Sequence, residues 1–286
     1  NFIIMKKILR YIFLNNFKNI FFMLINSKSE YFEFKKIEIK IKKNCKLGKK
    51  NTNLSTRIDQ VITPNLLKKG EWEYFTIRFI LKFIKNKKIK YDFIDIGANI
   101  GLTTKQLIAS KTKIQNFHCI EPEIENFNIL TKNLSPYKNV SFHNFALTDK
   151  KDKAKRIYLN KDNFGDYSLL KKSNQKSSII KTLNVNIFFR KIISKYKIKN
   201  IIYKSDTQGF DEIILLSLKE EFLNKINILI IEITNFKYLK NRTLDLINII
   251  KKFDYVEDQN GDKINENEII NKINKEIEFD IFCARN

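Results

Sequence analysis

The stretch YDFIDIGANIGLTTKQLIA, Tyr91 to Ala109, decides the fold. Tyr91 to Ile96 is an apolar run of the length and residue type of a buried strand. Gly97-Ala98-Asn99-Ile100-Gly101 then turns the chain, and a helix is expected from about Leu102 to Ala109. Glycines at such a turn let the backbone bend sharply and come close to a ligand, and the helix N-terminus offers free N–H groups. The pattern is D-x-G-x-N-x-G rather than G-x-G-x-x-G, because Asn99 holds the second glycine position and Leu102 the third. The chain has only 7 glycines, so Gly97 and Gly101 at one strand end are signal rather than background.

Outward from this unit, apolar strands alternate with helical stretches, the pattern of an α/β fold with a parallel sheet and helices on both faces. Ligands of such sheets bind at the carboxyl ends of the strands. The next strand, Phe117 to Ile120, runs into Glu121, twenty residues after Gly101. A carboxylate there can accept both hydroxyls of a ribose, which points to a nucleoside-bearing cofactor. Further strands are expected at Val140 to Phe145, Ile201 to Lys204 and Ile228 to Ile231. Upstream, residues 31 to 43 alternate as one or two strands, and Leu54 to Ile62 suggests another. Trp72, Phe75, Phe79, Leu81 and Phe83 recur as on a helix, and Lys85 to Lys90 reads as a link. The expected division is a small N-terminal helix and extension, 1–88, followed by the main domain, 89–286.

Lys+Arg 54 against Asp+Glu 31 leaves a net charge of +23, which raises nucleic acid or an anionic membrane as a partner. The lysines come with abundant Asn and Ile and are spread along the chain, as AT-rich coding drift produces. The segments facing the expected ligand, DIGANIG, IEPE and SDTQGFD, are acidic or neutral. No aromatic and basic single-strand platform is evident, so no nucleic acid is expected. Cys45, Cys119 and Cys283 show neither paired nor metal-ligand spacing, which favours a reduced, cytoplasmic protein and no metal. His118 and His143 lack metal-pair spacing and read as core residues.

The chain begins with Asn1, and Met5 is a candidate initiator. From there, apolar residues recur at helical spacing between Lys6, Lys7, Arg10 and Lys18. Asn15, Asn16 and Lys18 break the run too early for a spanning helix, and no small-residue cleavage site follows. Residues 1–26 suit a helix lying on anionic lipid, peripheral to the inner face of the membrane, or a helix docked on the rest of the protein.

DFIDIGANIG, CIEPEIENFNILTKN, NFALTDK, KSDTQGFDEIIL and ILIIEITNF, in that order, resemble the FkbM-family methyltransferases, which use S-adenosylmethionine. The likeness covers roughly residues 70 to 284. One departure is Ser205, where the family usually has an apolar residue before the Asp. The resemblance implies a class I methyltransferase fold: a Rossmann-like seven-stranded sheet whose last strand, Phe279 to Ala284, is antiparallel. Asp95, Gly97, Asn99 and Gly101 would face the methionine portion of S-adenosylmethionine, Glu121 the ribose, and Ala146 and Leu147 the adenine edge. Asp206 is the first catalytic candidate and Glu232 the second; Asp206 as a base and Asp206 as a ligand of the methionine ammonium stand as equals. Gln208, beside Asp206, and Asp166, Tyr167 and Ser168, in a variable loop, are candidates to meet substrate. The implied reaction is O-methylation of a hydroxyl on a small molecule or glycan. The alternatives are a nucleic-acid methyltransferase, disfavoured because Asp-Thr-Gln-Gly stands where an N-P-P-Y-like motif would, and a non-catalytic cofactor-binding or membrane scaffold.

Overall fold

A computed structural model describes residues 37–41, 52–56, 61–62, 72–160, 163–170 and 176–285. The basic helix read over residues 1–26 and Cys45 lie outside the described residues.

Strand β3 (Tyr91–Ile96) is buried along its whole length, which is why its sequence is a continuous run rather than an alternation. It pairs in parallel with β4 (Ile114–Ile120) on one side and β9 (Ile201–Ser205) on the other. With β5 (Val140–His143), β10 (Ile226–Ile233), β11 (Tyr255–Asp258) and β12 (Phe279–Ala284) they form one sheet in the order β11-β12-β10-β9-β3-β4-β5. β12 runs antiparallel to both its neighbours. This is the seven-stranded, Rossmann-like class I arrangement that the sequence implies.

Helices cover both faces. On one lie α1 (Tyr74–Ile84), α2 (Leu102–Ala109) and α3 (Ile124–Leu134). On the other lie α4 (Val185–Tyr196), α5 (Asp211–Leu216), α6 (Glu220–Leu223), α7 (Phe236–Leu239), α8 (Thr243–Ile250) and α9 (Glu266–Asn274). Local chemistry sets their starts. Glu123 accepts from the backbone N–H groups of Glu125 and Asn126 at the head of α3, Asn184 caps α4 in the same way, and Asn265 with Glu268 forms a capping box on α9.

Phe79, Ile80 and Ile84 of α1 pack on Tyr91, Phe93, Ile202 and Phe282 of the sheet, so the lysine-rich link joins two parts of one core. Phe75, read on the same apolar face, is exposed. Strands β1 (Ile37–Ile41) and β2 (Thr52–Thr56) form an antiparallel hairpin. Leu54 packs on Ile100, Leu102 and Ile129, and Asn133 of α3 bonds the backbone of both Ser55 and Ile100.

The strand expected through Phe145 stops at His143, because Asn144 turns the chain and donates to the carbonyls of Glu121 and Pro122. Beyond it, β6 (Ala146–Thr148), β7 (Ala154–Leu159) and β8 (Lys176–Asn184) make a separate three-stranded sheet. His118 and His143 stack inside the core with ring centroids 5.8 Å apart; burial pushes them down to about 3 and about 4, so both are neutral. Cys119 and Cys283 are buried and free. Among the described residues no helix is long and apolar enough to cross a membrane, and no group of acidic, His and Cys side chains could hold a metal ion.

Candidate active site

The strand order reverses around β3, and a two-chambered cleft opens there, at the carboxyl ends of β3, β4 and β9. The first chamber has apolar walls that include Ala146, Leu147, Ile157, Phe210 and Ile214, with Glu121 at its side. The second is lined by Trp72, Glu73, Thr103, Asn163, Lys204 and Gln208 among others. Gly97, Asn99, Gly165 and Asp206 belong to both and form the seam.

Gly97 makes the seam possible. Its φ is +75°, and a Cβ there would sit 1.8 Å from the carbonyl oxygen of Asp206. Only glycine lets the ends of β3 and β9 come this close. Asn99 follows in the left-handed region at φ 49°, and its N–H donates to Glu121 Oε2 at 2.9 Å. Glu121 Oε1 accepts from the N–H of Glu123 at 2.9 Å. Its carboxylate is therefore oriented by two backbone amides, while burial pushes its pKa up to about 8. Asn99 Oδ1 and Thr207 Oγ1 are buried at the cleft without a protein partner among the described residues. Buried polar atoms in that state are where a polar ligand binds with least loss.

The charged groups gather at the second chamber. Asp95, Lys204 and Glu232 lie on one face of β3, β9 and β10, and Asp206 directly follows β9. Lys204 Nζ lies 3.4 Å from Asp95 Oδ1, 3.5 Å from Glu73 Oε1 and 3.8 Å from Asp206 Oδ2. Burial alone would lower the pKa of Lys204, but Glu73, Asp95 and Asp206 together hold it well above the ordinary range, so it stays charged. Gln208 Nε2 donates to Asp206 Oδ1 at 2.9 Å and Glu232 Oε2 at 3.1 Å, tying the two catalytic candidates together. Glu232 is pushed up to about 9, first by burial and then by the charges of Asp206 and Asp211.

A profile of the methyltransferase FkbM domain matches residues 95–257, more than half of the chain. The chain belongs to the FkbM methyltransferase family. No curated protein sequence matches this methyltransferase. Among solved structures, it is similar to the Haemonchus contortus phosphoethanolamine N-methyltransferase 2 in complex with phosphomonomethylethanolamine and S-adenosylhomocysteine. Identity is 12%, the match covers 74% of this chain and 52% of that one, and the TM-score is 0.25, too low to establish a shared fold. The FkbM-family chain thus spans about half the length of that enzyme.

Within this methyltransferase the residues singled out in the sequence divide. Gly97, Asn99, Glu121, Ala146, Leu147, Tyr167, Asp206 and Gln208 line the cleft. Asp95 does not: it is fully buried beneath the floor, where it accepts from Thr104 Oγ1 and meets Lys204. Gly101 serves packing, since a Cβ there would meet Leu134 Cδ1 at 2.7 Å. Ser168 is buried, with its hydroxyl donating to the carbonyl of Gln208, and Asp166 accepts from Asn160; neither faces the chambers. Glu232 stands behind Gln208. Ser205 bears on more than packing, because its hydroxyl meets the buried carboxylate of Asp211, which also receives the N–H of Thr207. Trp72, Glu73 and Lys204 were missed. Lys204 carried a signal, a lone lysine inside the apolar run IIYKS, where a charge survives only if paired. Glu73 carried none, because it lies outside every motif and reaches the site by folding alone.

Proposed function

We propose that this FkbM-family methyltransferase binds S-adenosylmethionine across the two chambers and transfers its methyl group to a hydroxyl of a small molecule or glycan. The observation that carries the reading is the polarity of the cleft. An apolar chamber, a carboxylate aimed by two amides at its side, and a second chamber with carboxylates in excess match a ligand with a flat aromatic end, a diol and a cationic end. The unpartnered Asn99 Oδ1 and Thr207 Oγ1 fit the same polar ligand.

Leu147, Ala146, Phe210 and Ile214 would cover the adenine, Glu121 would accept the ribose hydroxyls, and the Gly97 turn would follow the methionine portion. The bound cofactor supplies an electrophilic methyl on a sulfonium. Asp206, which lines both chambers, would meet the reacting region, either as base for the acceptor hydroxyl or as counter-ion to the methionine ammonium. A base of that kind contributes roughly 10² to 10⁴ in rate, and holding the acceptor in line contributes about 7–11 kcal/mol. Gln208, Asn163 and Tyr167 line the cleft where an acceptor would enter. Residues 1–26 would bring the otherwise cytoplasmic enzyme to anionic lipid.

Calorimetric titration with S-adenosylmethionine, followed by tritiated-methyl transfer to extracted cell-envelope glycans, tests both halves. Absence of binding removes the cofactor reading; binding with transfer to no hydroxyl-bearing fraction removes the acceptor. Liposome flotation with and without residues 1–26 tests the membrane contact.

A further inference from the structure

Six non-glycine residues among those described have positive φ. Lys111, Lys197 and Glu276 directly follow helices α2, α4 and α9 or their caps, where the left-handed conformation is a common way to end a helix. The other three, Glu73 (φ 46°), Asn99 (φ 49°) and Gln208 (φ 56°), all line the polar chamber. Backbone strain therefore converges on one place, and such strain persists where surrounding contacts over-determine it, commonly at functional sites.

At the centre of that place is Lys204. Its side chain is 5% exposed, and the carboxylates around it come from three parts of the chain. Asp95 is held by Thr104 Oγ1 at 2.9 Å. Glu73 is held by Thr103 Oγ1 at 2.9 Å and by the indole N–H of Trp72 at 3.1 Å. Both are fixed before they meet the ammonium. Asp206 differs: its side chain is 35% exposed, with Oδ2 facing Lys204 and Oδ1 accepting from Gln208.

We propose that Lys204 is a positioning residue: anchored by Asp95 and Glu73, its ammonium holds the Asp206 carboxylate in one orientation at the seam of the chambers, toward the cationic end of the ligand. Glu73, upstream of the matched domain, is thereby part of the site's machinery. The inference rests on the cofactor reading above. A purely structural counter-ion would stabilise the fold without acting through Asp206, and the two roles separate in a coupling cycle on ligand binding.

The cycle uses the full chain and S-adenosylhomocysteine as probe, with calorimetry for binding and thermal melting for the fold. Its members are wild type, Asp206→Asn, the charge-matched Lys204→Met/Glu73→Gln, and the combination of all three changes. Removing the ammonium together with one of its carboxylates keeps the net charge of the cluster, although the buried Asp95 then loses its cation. Asp206→Asn is expected to weaken binding about tenfold, as loss of a charge-assisted contact does. The charge-matched variant is expected to melt below wild type, because Asp95 loses its cation, and to bind about tenfold weaker; the triple variant is expected to bind no weaker than the charge-matched one. Multiplication of the two losses to about a hundredfold overturns the proposal, as does wild-type binding by either Asp206→Asn or the charge-matched variant. If the charge-matched variant does not fold, Lys204→Met/Asp95→Asn, which removes the ammonium together with its most deeply buried carboxylate, takes its place in the cycle under the same criteria. Failure of the wild-type chain to bind at all is a different result: it removes the cofactor reading and this proposal with it.

Discussion

The two chambers meet at Gly97 and Asp206 yet are built in opposite ways. The apolar chamber is an extension of the core: Leu147, Phe210 and Ile214 belong to the same cluster as Ile94 and Phe188. Its shape follows from packing, and its contribution to binding scales with the apolar area it covers. The polar chamber is an exception to the core. Glu73, Asp95 and Lys204 are packed together beside the part-exposed Asp206, and the ammonium and the buried carboxylates offset one another's desolvation. A fold can lose shape in the first chamber gradually; in the second, one missing partner leaves a buried charge alone.

The largest effect is expected where the chambers join. Gly97→Ala places a Cβ 1.8 Å from the Asp206 carbonyl at a φ of +75°. Overpacking against backbone together with the left-handed penalty amounts to about 3 kcal/mol or more. Thermal melting should show that loss, and S-adenosylhomocysteine binding should vanish with it. Wild-type binding by Gly97→Ala would mean that the chambers do not share this wall in the functional protein.

Next comes Glu121→Ala, which leaves both chambers standing but removes the carboxylate at the side of the first. Above about pH 8, where Glu121 is ionised, a charge-assisted hydrogen bond contributes about 1.5–3 kcal/mol, so binding there should weaken roughly ten- to hundredfold. Melting should change far less than in Gly97→Ala, because the N–H of Asn99 and that of Glu123 then face water instead of the carboxylate. Equal losses in fold and binding would make Glu121 a structural residue.

Sequence made one chamber far more legible than the other, and the reason is distance along the chain. Strand, turn and helix from Tyr91 to Ala109 are local, and so is the step from β4 to Glu121; each announces itself by periodicity and by rare glycines. Ala146 and Leu147 are implied by the family resemblance, and the strand before them ends two residues earlier than expected because Asn144 turns back to β4. The polar chamber joins residues from remote segments, so no window of sequence contains it. Asp95 shows the limit most clearly: its place at the strand end was legible, but not that Lys204 and Thr104 would hold it beneath the floor. Ser168 is a candidate through the resemblance of its polar stretch to the family's variable loop, yet its hydroxyl serves a hydrogen bond to the Gln208 carbonyl.

A smaller and separable effect concerns pH. Glu232 is raised to about 9 and Asp280 to about 7, both chiefly by burial, and the two are neighbours across β10 and β12. The folded state therefore binds these protons more tightly than the unfolded chain. Their contribution is fully present below the unfolded carboxylate range near pH 4 and is lost as pH rises through about 7 to 9. The melting temperature should fall between pH 5 and pH 9, and Glu232→Gln, which cannot ionise, should fall less. Parallel curves for the two proteins would show that the polar side of the sheet is better solvated than its burial indicates.

The smallest effect is expected from a glycine outside both chambers. Gly261 has a φ close to that of Gly97, +85° against +75°, but a Cβ there meets nothing within 4 Å. Gly261→Ala thus carries the left-handed penalty without the collision, about 1 kcal/mol and a few degrees of melting temperature. Its N–H donates to the Asp258 carbonyl in the turn after β11, and that bond survives the change. Ligand binding should be unaltered. The difference between the two alanine variants then isolates what the close approach of Gly97 to Asp206 contributes, because conformational preference is common to both; if Gly261→Ala destabilises as much as Gly97→Ala, backbone preference rather than the shared wall explains the larger loss.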